Sequence, residues 1–172
     1  NYKDEFIYHD MIVHVPMATN VNIKNVLVIG GGDGGTVREL TRYPQIENID
    51  MVEIDKMVVD VSREFIDICA CKLDDERVNL YYEDGVAFVK NSKDKTYDLI
   101  IVDSTDPIGP GEGLFSLDFY NDCYRILTAE GILVNQNESP YFDFNAKEMK
   151  RANSKISDIF EIARVYQAHI PT

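Results

Sequence analysis

Tryptophan is absent, cysteine occurs three times, and cations are scarce. Seventeen Lys and Arg stand against 30 Asp and Glu, a formal net charge of −13. That deficit argues against nucleic acid as a partner, because gripping phosphates needs a basic face. Cys69, Cys71 and Cys123 have neither the even number nor the spacing of a disulfide framework. Cys69-Ala70-Cys71 stands alone, without the four placed ligands of a zinc site. No apolar run is long enough to span a bilayer, and no secretory signal pattern opens the sequence. The expectation is a cytoplasmic protein with reduced thiols. Its acidic surface serves solubility or a cationic ligand.

What is present is ordinary globular material, 45% hydrophobic and 27% charged over 172 residues. This is enough for one domain with a substantial core. Short β-branched runs recur: Val26–Ile29, Ile49–Ile54, Val78–Tyr82, Tyr97–Val102 and Ile132–Val134 predict five strands, and Ile162–Ile170 a sixth. Helical patterns alternate with them. Thr36–Tyr43 stops at Pro44. Val58, Val61, Phe65 and Ile68 form one apolar stripe, and Val86–Lys90 follows strand three. Ser116 is the expected N-cap of a helix carrying Phe119, Tyr120, Cys123, Tyr124 and Leu127 on one face, with Gly131 ending that turn. Met149, Ala152, Ile156 and Ile159 mark a last helix. Strands alternating with helices predict an α/β fold, a parallel sheet with helices on both faces. Residues 1–172 read as one domain: an approach segment, 1–22, and an α/β core, 23–172. Glu5–His14 is expected to be a strand edge or an arm over the site.

Ligands of such sheets bind beyond the carboxyl ends of the strands. Acids sit at all of those ends: Asp33 after strand one, Glu53 and Asp55 after strand two, Glu83 and Asp84 after strand three, Asp103 and Asp106 after strand four, and Glu138, beside Gln136, after strand five. Each alone can be a helix cap or a turn former. Together around one crevice they call for a cation, because crowded like charges cost stability. Gly30-x-Gly32-x-x-Gly35 fits the dinucleotide fingerprint, and Glu53 could hold the ribose of any adenosine. The motif does not separate NAD from an S-adenosyl ligand. Asp33 inside it does discriminate. It opposes pyrophosphate and carboxylate, and it is a counter-ion for an amine.

The sequence resembles the spermidine synthase family, the polyamine aminopropyltransferases. The resemblance rests on Tyr8–His14, Val28–Thr36, Val52–Asp55, Asp84–Gly85, Ile162–Tyr166 and the long motif Asp103–Phe115 (DSTDPIGPGEGLF). It implies a Rossmann-like fold of the class I S-adenosylmethionine methyltransferase type. It also implies transfer of a 3-aminopropyl group from decarboxylated S-adenosylmethionine to putrescine, giving spermidine and methylthioadenosine. Carried over, Gly30, Gly32, Asp33, Gly34, Glu53, Asp84, Gly85 and Pro110 would bind the donor. Within that set Glu53 would hold the ribose, Asp84 and Gly85 the adenine, and Asp33 the aminopropyl amine, with Pro110 packing by the nucleoside. Asp103 would be the general base. Tyr8, His9, Asp33, Asp103, Ser104, Thr105, Asp106 and Gln136 would form the polyamine site. No metal or resident cofactor is implied, since the donor is a co-substrate, and no nucleic acid or membrane is. The family's habit implies a homodimer or homotetramer. Against the family pattern, the chain is expected to be a catalytic core without the N-terminal β domain and the last strand. Rival readings are another acceptor (agmatine, cadaverine or spermidine), a methyltransferase, which Asp33 disfavours, and a catalytically silent nucleoside-binding domain.

Overall fold

The computed structural model describes residues 4–104, 109–137 and 141–170. Five parallel strands form one sheet: β1 (Asn25–Gly30), β2 (Asn48–Val52), β3 (Val78–Tyr81), β4 (Tyr97–Asp103) and β5 (Leu127–Asn135), in the order β3-β2-β1-β4-β5. Among the described residues seven helices accompany them: α1 (Glu5–Thr19), α2 (Gly35–Leu40), α3 (Lys56–Phe65), α4 (Asp67–Ala70), α5 (Gly85–Asn91), α6 (Leu117–Ile126) and α7 (Asp143–Ile159). A 3₁₀ segment spans Gly109–Phe115. No described helix is long and apolar enough to cross a membrane.

The central strands are buried on both faces, which is why β1 and β4 read as unbroken apolar runs instead of alternating ones. Alternate residues still serve different layers. Val26 and Val28 of β1 pack with Ile12, Val13 and Met17 of α1 and with Val37 and Leu40 of α2. Leu27 and Ile29 pack on the other side with Phe119, Tyr120 and Cys123 of α6. Helix starts follow from their caps: Asp55, Asp84 and Ser116 each accept a backbone N–H from the first turn of α3, α5 and α6. Arg77, just before β3, ties the chain together. It donates to the Thr41 and Tyr43 carbonyls at 2.8 and 3.0 Å while pairing with Asp75.

Four expectations need correction. The segment Glu5–His14 belongs to a helix and is not a strand edge, and that helix carries Pro16 in its last turn. The apolar stripe of α3 and α4 faces outward. Val58, Val61, Phe65 and Ile68 are exposed, and α3 docks through Val59 and Ser62. Periodicity identifies the helix but not the side that meets the sheet. β5 begins at Leu127, directly after α6; its ladder to β4 is irregular between the pairs Tyr97↔Leu127 and Leu99↔Ile132, and Gly131 lies inside that irregularity. Residues 162–170 form no strand. β-propensity expresses itself only where a neighbouring strand completes the ladder.

Candidate active site

The strand order reverses its sense between β1 and β4, which opens a crevice at their carboxyl ends. The register puts Gly30 opposite Asp103, and the Gly31 N–H donates to the Asp103 carbonyl at 2.8 Å. The glycine loop therefore rests on the end of β4. Gly30 and Gly31 have φ of +82° and +69°, and a Cβ on Gly30 would lie 2.2 Å from the Asp103 carbonyl oxygen. Only glycine fits such a turn.

Around this point lies a cavity of about 640 Å³. The glycine loop contributes residues 30–33, β2 and its exit contribute Val52, Glu53 and Ile54, α3 contributes Val58, and the start of α5 contributes Asp84 and Gly85. Asp103, Ser104, Gly111, Leu114, Gln136, Ile29 and Tyr8 complete it. Four carboxylates, from Asp33, Glu53, Asp84 and Asp103, face it, and none of its described lining residues is Lys or Arg.

Asp103 is held at both oxygens. The Thr36 hydroxyl donates to Oδ2 at 2.6 Å, and the Tyr8 hydroxyl donates to Oδ1. Burial pushes the Asp103 carboxyl above the usual carboxylate range. The two hydroxyl donors oppose that shift and neighbouring Asp33 adds to it. Asp33 accepts the Gly35 N–H on Oδ1 at 2.9 Å, and its Oδ2 lies 3.5 Å from His9 Nε2. Burial opposes ionisation of Asp33, but His9 and the Gly35 N–H prevail and hold its carboxyl below the usual range. Tyr8 is driven well above the ordinary phenol range by burial and by Asp103, so it is a neutral donor.

Of the residues singled out from the sequence, Tyr8, Gly30, Gly32, Asp33, Glu53, Asp84, Gly85, Asp103, Ser104 and Gln136 meet at this cavity. Two do not line it. His9 is 2% exposed and lies behind Asp33, and Gly34, at φ +87°, packs against Ala70 and Leu73. Thr105, Asp106 and Glu138 lie outside the described residues, as does the side chain of Pro110. Asp55 and Asp84 are the helix caps that the plainer reading of the acids expects, and Asp84 also faces the cavity. Thr36, Glu5 and Arg38 escape the sequence reading. The signal for Glu5 was its i,i+4 spacing to His9, visible only once the segment is known to be helical.

Two groups of potential metal ligands lie beside α1: Glu5, His9 and Cys69, and Asp10, His14 and Glu39. Glu5 is already paired with Arg38, and Glu39 with Arg38 and Arg42.

Residues 5–172 match the model of the spermine/spermidine synthase domain. The chain belongs to the spermine/spermidine synthase family. It is 82% identical over 171 residues to a polyamine aminopropyltransferase of Clostridioides difficile (strain 630), covering 99% of this chain and 60% of that one. It is 69% identical over 170 residues to the polyamine aminopropyltransferase of Clostridium beijerinckii, with the same coverage. It thus spans about 60% of the length of these curated relatives. Among solved structures, spermidine synthase from Thermotoga maritima superposes with a TM-score of 0.90 at 38% identity, over 98% of this chain and 56% of that one. A spermidine synthase in complex with the transition state analogue AdoDATO gives 0.88 at 39% identity, over 93% and 54%. These family members share the Rossmann-like sheet described above.

Proposed function

We propose that the protein is a spermidine synthase, transferring the 3-aminopropyl group of decarboxylated S-adenosylmethionine to putrescine. The observation that carries this is the cavity's charge: four carboxylates and no described cationic lining residue. A donor bearing a sulfonium and an ammonium, and a diamine acceptor, are the ligands such a wall favours. The names of the relatives and the AdoDATO-bound neighbour support the same reading. Glu53 takes the ribose hydroxyls, Asp84 and Gly85 the adenine, and Asp33 the aminopropyl amine. Gly30 and Gly32 let the nucleoside approach the backbone. Tyr8, Ser104 and Gln136 face the acceptor, with Thr105 and Asp106 assigned to the same subsite and Pro110 to the nucleoside by family resemblance.

The acceptor nitrogen attacks the aminopropyl carbon next to sulfur. The C–N bond forms, the C–S bond breaks, and its electron pair stays on sulfur, leaving neutral methylthioadenosine. Sulfonium is a sufficient leaving group, so the step needs no metal and no resident cofactor. The nucleophile is the difficulty, because an alkylammonium with a pKa of ~10 is inert until deprotonated. Asp103 receives that proton. Its burial raises its basicity, while Thr36 and Tyr8 fix its orientation. A cytoplasmic homodimer or homotetramer is the assembly this reading takes from the family.

Product analysis of the full-length protein with decarboxylated S-adenosylmethionine and putrescine tests it. Spermidine and methylthioadenosine in equal amounts are expected. Methyl transfer without aminopropyl transfer, or nucleoside binding without turnover, overturns the reading. A preference for another diamine would change the acceptor alone. Asp103→Asn is expected to lower turnover by about 10²- to 10⁴-fold with donor binding retained, the usual worth of a positioned base.

A further inference from the structure

The two oxygens of the Asp103 carboxylate are not equivalent. Oδ1 accepts the hydroxyl of Tyr8, which lines the cavity. Oδ2 accepts the hydroxyl of Thr36 at 2.6 Å, and Thr36 is fully buried and does not line the cavity. The glycine loop closes on the same oxygen. A Cβ on Gly31 would lie 3.1 Å from Oδ2 and 3.7 Å from the carboxyl carbon. Oδ2 is therefore flanked by loop backbone and by Thr36, whereas Oδ1 lies on the side from which Tyr8 reaches the cavity.

Each carboxylate oxygen offers two lone pairs. At Oδ1 Tyr8 takes one, and the other is left for a proton arriving from the cavity. A proton placed on Oδ2 would meet the Thr36 hydrogen head-on. The bond to Asp103 is the side-chain hydrogen bond that Thr36 makes among the described residues, so displacing it strands a buried donor. Thr36 is the second residue of α2, which begins where the glycine loop ends. Valine would fill the same volume there, so the hydroxyl is a polar group held at a fully buried position for the sake of one partner.

We propose that Thr36 is a positioning residue for the transfer: by occupying Oδ2 it assigns the acceptor's proton to Oδ1. The acceptor nitrogen gives up the proton and keeps the N–H electron pair, which becomes the lone pair that attacks carbon. Asp103 becomes a neutral carboxyl with its O–H at Oδ1 and its carbonyl oxygen at Oδ2. Thr36 donates to Oδ2 before and after the transfer, so the bond that orients the base survives the base's own change of state. The assignment rests on Asp103 being the base. It adds a residue that acts on the reaction without touching either substrate.

Turnover of the full-length protein with decarboxylated S-adenosylmethionine and putrescine is measured for Thr36→Val, Thr36→Ser, Asp103→Asn and the double variant, with methylthioadenosine affinity alongside. Thr36→Val is expected to lower kcat by about 10- to 100-fold, the range set by one hydrogen bond to a charged group. KM for both substrates and methylthioadenosine affinity are expected to change by less than about 3-fold, as for an interaction that serves the transition state. Thr36→Ser keeps the donor and is expected to stay within about 3-fold of the unsubstituted kcat. In the Asp103→Asn background, Thr36→Val is expected to cost less than about 2-fold more, because the group it positions is gone. An unchanged kcat in Thr36→Val, a Thr36→Ser as slow as Thr36→Val, or an undiminished further loss in the Asp103→Asn background overturns the positioning role and leaves Asp103 standing as the base. Loss of methylthioadenosine affinity in step with kcat assigns Thr36 to the folding of the loop and overturns it too. Retained turnover in Asp103→Asn overturns the base itself. If Thr36→Val does not fold, Thr36→Ala is measured in its place, and a kcat within about 2-fold of the unsubstituted protein refutes the proposal.

Discussion

Asp33→Asn is the sharpest perturbation of the site, because it removes a charge and almost no volume. The Asn carbonyl can still accept the Gly35 N–H that Oδ1 accepts at 2.9 Å, so the loop keeps its turn. Its amide group then occupies the place of Oδ2 and points two donors at an incoming ammonium. A hydrogen bond to a charged group contributes ~1.5–3 kcal/mol. The Asp33 side chain is 40% exposed, so solvent screens it and the lower part of that range applies, ~1.5–2 kcal/mol. At 1.4 kcal/mol per factor of ten, decarboxylated S-adenosylmethionine is expected to bind about 10- to 30-fold more weakly. Methylthioadenosine has no aliphatic amine and is expected to change by less than about 3-fold. Calorimetric or fluorescence titration of both ligands in the full-length protein reads the ratio. A parallel loss for the two would mean that Asp33 only shapes the loop, and the argument from charge would fail.

Gly35→Ala drives a Cβ into the His9 ring and is expected to cost about 1–3 kcal/mol of stability, as overpacking does, seen as a lower melting temperature. Its affinity for the amine-bearing donor falls with it, and a melting curve identical to that of the unsubstituted protein would refute the contact. Arg77→Met removes the donors to Thr41 and Tyr43 and is expected to destabilise by ~1.5–3 kcal/mol in urea unfolding without changing turnover in the folded protein. The Arg77 guanidinium holds the Asp75 carboxyl down at about 2, against an unfolded value of ~3.9. A depressed carboxyl contributes stability above the unfolded value and loses it as pH falls through the folded one. The gap between the two proteins should therefore narrow from about pH 4 toward pH 2, and a gap that widens there would exclude the ion pair as its source.

The parallel sheet was legible because its strands are buried on both faces and bounded by glycine or by a capping acid, all local signals. The crevice was legible because topology, not side-chain detail, places it at the strand ends. The rest depends on contacts between distant residues. α1 mixes buried His9 and Pro16 into its docking face and so lacks the clean apolar stripe that announces a surface helix. α3 has such a stripe, yet Val59 and Ser62 meet the sheet and the stripe does not. Thr36 becomes a partner of Asp103 only across 67 residues of chain, and Arg38 a partner of Glu5 across 33. The resemblance puts His9 in the polyamine site, and only packing shows that its ring is buried behind Asp33 and does not line the cavity.

Most of the cavity belongs to the sheet and its exit loops, whereas Tyr8 and His9 arrive on α1, which precedes β1. Ile12, Val13 and Met17 are what hold that helix to the core. A molecule whose α1 has detached keeps its nucleoside wall and loses its amine clamp. The observed affinity for an amine-bearing ligand is then the intrinsic affinity multiplied by the fraction of molecules with α1 seated. By the same linkage such a ligand reports on, and increases, that fraction. Core substitutions in α1 far from any reacting atom would thus register as changes in ligand choice, with the nucleoside product less affected than the amine-bearing donor.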